Sequence, residues 1–172
     1  LEDLVERKSM FYKIGENKPF TGIITQENPE ADYLFLGRTK NGKKDGQWVK
    51  WFPGGKEVPE IILVDVPEPE PKMPWSGGKQ EQGGYKEGKK HGKWTEWYDN
   101  EHIKSHGVYE LGIMSGSWTF YHENGIKEKE GRLKNGNAEG LWVFYDEDSK
   151  KIQEGSFKDG TNDITLRYDL SS

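Results

Sequence analysis

The 172-residue chain has no cysteine and no long apolar run, and each absence excludes a class of protein. Without cysteine there can be no disulfide, no thiolate metal site and no cysteine nucleophile. The longest aliphatic run, Ile61-Ile62-Leu63-Val64, is four residues long, whereas a membrane-spanning helix needs about 18 apolar residues. The sequence therefore predicts neither a disulfide-stabilised fold nor a transmembrane helix.

Large aliphatic residues are also scarce, and aromatic residues take their place. Leu, Ile, Val and Phe together make about a fifth of the chain, which is close to the compositions that remain disordered. The chain nevertheless contains 7 Trp, 8 Tyr and 7 Phe beside 22 Gly. We therefore expect a folded protein whose aromatic rings supply most of the buried surface.

Charge of one sign is not concentrated anywhere in the chain. The 25 basic and 30 acidic residues give a net charge of −5, and the signs alternate, as in Lys127-Glu128-Lys129-Glu130. Nucleic acids and anionic membranes are bound by clustered basic residues. The sequence therefore argues against nucleic-acid binding and gives little support to membrane contact.

A unit of 24 residues repeats along the chain. The motif Gly-x-Trp recurs at Trp48, Trp94, Trp118 and Trp142, and the last three are 24 residues apart. A second glycine column lies nine residues before the motif glycines and once more near the end of the chain: Gly37, Gly83, Gly107, Gly131 and Gly155. Dipeptides such as Asn135-Gly136 are typical of hairpin turns. The runs between turns have the length of strands and lack helical periodicity.

These features predict an all-β fold, an elongated twisted antiparallel meander of stacked β-hairpins with one hairpin per unit. We expect a single repeat domain over 1–172. Its predicted parts are N-terminal repeats in 11–56, a degenerate unit with a proline-rich spacer in 57–82, regular repeats in 83–160 and a capping strand in 161–172. Helix is conceivable only in Leu1–Arg7, for at most two turns.

One repeat carries a motif of a known family. It reads Gly131-Arg132-Leu133-Lys134-Asn135-Gly136 followed by Gly140-Leu141-Trp142-Val143-Phe144-Tyr145. The motif resembles the bacterial MORN-repeat variant, which is typical of YwqK-like antitoxin components, and Pro19-Phe20-Thr21-Gly22 resembles the first unit of that family. The resemblance implies stacked hairpins, no catalytic centre and an antitoxin-like or immunity-like role.

Alternation of side chains along a strand places the four tryptophans on one face. We predict that each indole lies across a glycine of the partner strand, as Trp142 over Gly131, in the arrangement that compensates for glycine in a sheet. The tryptophan and glycine columns are therefore interpreted as structural.

The rings on the other face are the candidate binding residues. They are Trp51, Trp97, Tyr121 and Tyr145, with Phe52 and Tyr98 beside them. One hypothesis is a non-catalytic scaffold that binds a protein partner, with an antitoxin-like role as its specific form. The alternative is carbohydrate or cell-envelope binding through an exposed aromatic ladder. A third interpretation is that these rings only pack across strands.

No arrangement of residues predicts catalysis, a cofactor or a metal. His102 and His106 would be about 13 Å apart on a strand, but His102 is predicted to lie in or beside a turn, so a distorted site with His122 is the remaining metal hypothesis. His91 is predicted to lie in a turn before Gly92. No serine lies in a Gly-x-Ser-x-Gly elbow, and no glycine-rich loop opens a helix. The sequence therefore favours a protein that is not an enzyme.

The ends of the predicted sheet favour a monomer. Charged residues and proline discourage pairing between exposed edges, and the edges here carry Lys18, Pro19, Asp163 and Arg167. The sequence does not separate a cytoplasmic location from the cell envelope.

Overall fold

The structure is a computed structural model that describes residues 4–7, 10–13, 17–28, 33–51 and 78–167. Every helix or strand within these ranges is a β-strand, which confirms the all-β prediction, and none of the described residues forms a helix that could cross a membrane. Phe52 and most of the predicted spacer, including its proline-rich part 67–74, lie outside the described residues.

The chain divides into two compact units, Leu1–Lys89 and Lys90–Ser172. In the first unit, β1 (Leu4–Arg7) pairs with β2 (Met10–Lys13). An antiparallel meander follows, formed by β3 (Gly22–Asn28), β4 (Tyr33–Lys40), β5 (Lys43–Trp51) and β6 (Lys79–Lys86). The expectation of helix at the N-terminus is therefore wrong for Leu4–Arg7, and the last residues of the predicted spacer 57–82 belong to β6.

The second unit continues with strands that pair with their neighbours in chain order. They are β7 (Lys89–Trp97), β8 (Ile103–Glu110), β9 (Ile113–Tyr121), β10 (Lys127–Lys134), β11 (Asn137–Tyr145), β12 (Lys151–Lys158) and β13 (Thr161–Arg167). All of these pairs are antiparallel, and β13 lies where the sequence predicts a final strand. The meander places the repeats side by side, so equivalent residues form columns across the strands.

The indoles of Trp48, Trp118 and Trp142 each lie on a glycine, as the spacing predicts. A Cβ atom on Gly131 would be 2.2 Å from Cδ2 of Trp142, and the same ring atom of Trp118 would be 2.2 Å from a Cβ on Gly107. The indole nitrogen of Trp142 also donates a hydrogen bond of 3.1 Å to the carbonyl oxygen of Arg132. The ring therefore occupies the space that a side chain would need and is held there by a directional bond.

A bulge brings the indole to this position. Gly140, the glycine of the Gly-x-Trp motif, has a φ of 71°, which glycine adopts without a steric penalty. The register of β10 and β11 shifts between Glu130 and Arg132, which pair with Val143 and Glu139. The extra residues of β11 therefore lie opposite Gly131, as in a β-bulge. The motif glycine thus supplies the backbone conformation of the bulge that places the tryptophan.

The tryptophan face carries the core of each unit. In the second unit Trp118, Leu133 and Trp142 are buried, and the rings around them include Phe120 and Phe144. In the first unit Phe11, Ile24 and Trp48 form the core. Ile24 stands at the tryptophan position of the repeat, pairs with Gly37 and is 1% exposed. Sparse aliphatic residues are therefore sufficient because large rings cover the glycine columns.

The hairpin turns confirm the predicted role of the Asn-Gly and Asp-Gly dipeptides. Both turn residues have a positive φ, for example 52° at Asn135 and 83° at Gly136, as in type I′ turns. Leu111 holds the same position with a φ of 49°, although a leucine side chain disfavours this backbone conformation.

We expect Leu111→Asn to stabilise the protein by about 1 kcal/mol, because asparagine tolerates the left-handed region. Little packing is lost, since Leu111 is 50% exposed. Equilibrium urea unfolding measures the change. Ile113→Asn is the control because Ile113 has the same exposure but lies in β9, and it should not stabilise. A decrease in stability for Leu111→Asn would contradict the prediction.

Candidate binding surface

Three aromatic residues end successive odd-numbered strands of the second unit, and we call them the aromatic row: Trp97, Tyr121 and Tyr145. All three are half-buried. Trp118 stacks on Phe120 on the tryptophan face, with 5.8 Å between ring centroids, so the alternating position of Tyr121 faces the other side. The aromatic row therefore lies on the face that does not carry the core.

The other candidate rings differ in their surroundings. Trp51, in the first unit, is 9% exposed and so offers little surface to a partner. Tyr98 is half-buried beside the row, and its hydroxyl donates a hydrogen bond of 2.8 Å to the carbonyl oxygen of Tyr121. The candidate surface is therefore centred on the aromatic row, with Tyr98 as its support.

Neighbouring side chains hold the rings of the row in place. The imidazole of His106 stacks on Tyr121 with 5.7 Å between ring centroids and 29° between the planes. The hydroxyl of Tyr145 donates a 3.0 Å hydrogen bond to Glu130, whose other carboxylate oxygen accepts a 2.9 Å bond from Lys127. The rings thus pack across strands and remain partly exposed.

These contacts change the acidity of the groups involved. The hydrogen bond from Lys127 lowers the pKa of Glu130, and the bond from Tyr145 acts in the same direction. Burial raises the pKa of Tyr145, with a further increase from Glu130. Burial and the nearby charges of Glu128 and Glu123 raise the pKa of Tyr98. At neutral pH both tyrosines therefore keep the proton that they donate.

The pH dependence of Glu130→Gln tests the ion pair. Because the folded-state pKa of Glu130 is lowered, its contribution to stability is present above its unfolded-state pKa and is lost as the pH falls through the folded-state value. We expect the variant to melt a few degrees below the wild type at pH 7, since the pair is partly exposed. The difference should close below about pH 4.

Glu123→Gln is the control, because this exposed carboxylate forms no ion pair within the described part of the chain. Its melting temperature should follow the wild type at every pH. A difference for Glu130→Gln that is the same at pH 3 and pH 7 would contradict the role of the charge.

Stacked turns adjoin the aromatic row. The side-chain oxygen of Asn100 accepts a bond from the backbone of His102, and its amide nitrogen donates a 2.7 Å bond to the carbonyl oxygen of Glu123 in the next turn. Asn124 repeats this pattern, with a 3.0 Å bond to the carbonyl oxygen of Glu147. Each turn is therefore fixed internally and tied to its neighbour.

A carboxylate occupies the same position of each of these turns, and we call this set the acid row: Asp99, Glu123 and Glu147. All three are exposed. The sequence interpretation missed the acid row and the asparagines beside it. The sequence nevertheless contains a signal for them, because the acids and the asparagines recur at the 24-residue period of the tryptophans.

The histidines near these turns support backbone contacts. The Nδ1 atom of His102 lies 2.6 Å from the carbonyl oxygen of Glu123, and Nε2 of His122 lies 3.1 Å from that of Tyr145. No group of three or more potential metal ligands comes together among the residues that the structure describes. His91 lies within β7, so its predicted place in a turn is wrong.

Comparison with known families matches the hairpins of the second unit. A family model described as MORN repeat variant matches residues 90–110, 114–135 and 138–159. No curated protein matches the chain. The three matched segments begin 24 residues apart, in step with the hairpin period. Residues 90–159 are therefore similar to three consecutive units of the MORN repeat variant, a non-catalytic repeat module.

Proposed function

We propose that this protein is a non-catalytic scaffold and that the aromatic row binds a protein partner. The observation that carries the proposal is that core residues fill one face of the sheet, whereas the other face leaves aromatic rings partly exposed. Trp118 and Trp142 fill the tryptophan face, whereas Tyr121 and Tyr145 stay half-exposed on the other. Aromatic rings surrounded by polar groups are the residues on which protein interfaces depend most.

Rigidity adds to this argument. The bonds of Tyr145 to Glu130 and of Tyr98 to the backbone of Tyr121 restrict the rings before any partner arrives. A surface that is already ordered loses less conformational entropy on binding. The aromatic row therefore combines exposed ring surface with a fixed geometry.

An antitoxin-like or immunity-like role is the specific form of the proposal. It is supported by the resemblance of the repeats to those of YwqK-like antitoxin components. The net charge of −5 also suits a basic partner, because complementary charge accelerates and orients association.

The test is affinity purification from native lysate with the wild type and a Trp97→Ala/Tyr121→Ala variant. A protein enriched by the wild type alone is then purified and titrated against both by calorimetry. We expect the variant to bind at least tenfold more weakly. Equal binding to both, or no protein that distinguishes them, would refute the proposal. Lys134→Ala, an exposed change elsewhere on β10, is the control and should bind normally.

Glycan binding is the second candidate, and the regular spacing of the aromatic row favours it. Sugar rings can stack on a series of aromatic side chains, although His106 already covers one face of Tyr121. A glycan array with the same double variant tests this function. Binding that is lost in Trp97→Ala/Tyr121→Ala would support glycans, and absence of binding to any glycan would remove the candidate.

A further inference from the structure

The aromatic row and the acid row have the same period and lie side by side. Asp99, Glu123 and Glu147 each follow a ring of the aromatic row by two residues. One repeat contains two strands, and strands are about 4.8 Å apart, so each row advances by about 10 Å per repeat. The second unit thus presents three aromatic rings and three carboxylates at matched intervals.

The carboxylates of the acid row differ from the glutamates within the strands. Glu130 and Glu154 are paired with Lys127 and Lys151 at 2.9 Å. In contrast, no acid-row carboxylate takes part in a salt bridge within the described residues. These negative charges are therefore available to a cation from outside the chain.

The turns hold the acid row in fixed positions. Asn100 and Asn124 bond to the carbonyl oxygens of Glu123 and Glu147 at 2.7 and 3.0 Å. These bonds set the backbone of the residues that carry the carboxylates. The backbone positions that carry Glu123 and Glu147 are thus set by bonds between turns.

We propose that the two rows together bind an extended, proline-rich segment of a partner protein that carries Lys or Arg at every third residue. Aromatic surfaces recognise proline-rich segments in the polyproline II conformation. This conformation has three residues per turn and rises about 3.1 Å per residue, so every third side chain recurs after about 9.3 Å on one side. The basic side chains then meet successive carboxylates while prolines contact the rings. This inference rests on the proposed function and names the chemistry of its partner.

The test uses the full chain and two synthetic peptides of equal composition. One contains four Lys-Pro-Pro triplets, and the other contains four consecutive lysines followed by eight prolines. Fluorescence anisotropy at low salt measures binding. We expect the triplet peptide to bind the wild type at least fivefold more tightly than the block peptide, because only the triplet spacing matches the rows.

Two charge variants test whether the carboxylates of the acid row contribute to the affinity for the peptide. In the first, Asp99→Asn, Glu123→Gln and Glu147→Gln are combined. We expect it to bind the triplet peptide about tenfold more weakly, since exposed ion pairs contribute modestly and three are lost. The control combines Glu87→Gln, Glu110→Gln and Asp159→Asn, which removes the same charge from exposed positions near the type I′ turns. It should change affinity less than twofold.

Several outcomes would overturn the inference. Absence of peptide binding, equal affinity for both peptides, or equal losses in the two charge variants would each do so. Binding of a β-linked glucosamine hexamer that displaces the peptide and is unaffected in the acid-row variant would assign the surface to glycans. Thermal unfolding checks that both variants remain folded.

The inference and the proposed function can fail separately. The affinity purification with the wild type and Trp97→Ala/Tyr121→Ala identifies a partner protein. If this partner binds the acid-row variant as tightly as the wild type, the aromatic row still binds protein, but the partner is not recognised through a basic segment. If the aromatic variant changes nothing, the proposed function itself is wrong.

Discussion

Trp118→Ala should reduce the free energy of unfolding by about 3–5 kcal/mol, as expected for a large buried aromatic side chain. Trp118 is 2% exposed. Its ring contacts Tyr109 edge to face at 5.3 Å and Phe120 in a stack at 5.8 Å. The substitution also removes the bond of 3.2 Å from the indole nitrogen to the carbonyl oxygen of Val108. The free energy of unfolding of a domain is typically about 5–15 kcal/mol, so this substitution would remove a large part of it.

Urea and thermal unfolding measure this loss. Trp97→Ala is the matched control, because it removes the same side chain from the half-buried aromatic row. It should cost clearly less than Trp118→Ala. Equal losses for the two variants would show that the core does not lie on the tryptophan face.

Gly131→Ala should cost about 3 kcal/mol, the upper part of the usual range for overpacking. The new Cβ would be 2.2 Å from Cδ2 and 2.4 Å from Cε2 of Trp142, so the indole must move and lose its bond to Arg132. Gly116→Ala separates this clash from backbone strain. Gly116 has open space around it but a φ of 69°, and we expect a loss of about 1–2 kcal/mol.

A double-mutant cycle tests the cause of the Gly131→Ala effect. In a Trp142→Ala background the ring that opposes the new methyl group is absent, so Gly131→Ala should become nearly neutral. Contacting residues give large coupling energies in such cycles, whereas independent sites add. Additive losses for Gly131→Ala and Trp142→Ala would therefore exclude a direct clash.

The strand order and the indole–glycine pairs follow from sequence because they depend on local periodicity. Asn135-Gly136 marks a turn by its own backbone preference, and the motif glycine Gly140, at a φ of 71°, marks the bulge that brings Trp142 opposite Gly131. The position of Ile24 follows in the same way, since it stands where later repeats have tryptophan. Such features are determined by residues within a single hairpin.

Contacts between repeats were less predictable. The bonds from Asn100 to Glu123 and from Asn124 to Glu147 join different hairpins. Their formation depends on how far neighbouring turns approach, which periodicity alone does not specify. Phe11 likewise reaches the core of the first unit from the short hairpin of β1 and β2, outside the regular repeat. The burial of Trp51 could not be separated from the exposure of its equivalents for the same reason.

The regularity of the repeat has a consequence for how this protein can change during evolution. Each hairpin repeats the same turn and the same bulge, and neighbouring side chains of a strand point to opposite sides. Duplication or loss of a whole hairpin therefore leaves every later indole on its original side and brings new asparagines into line with the old ones. Insertion of one residue within a strand would instead move every following side chain of that strand to the opposite face. The number of repeats can therefore change without altering the two faces, whereas the residue spacing within a repeat cannot.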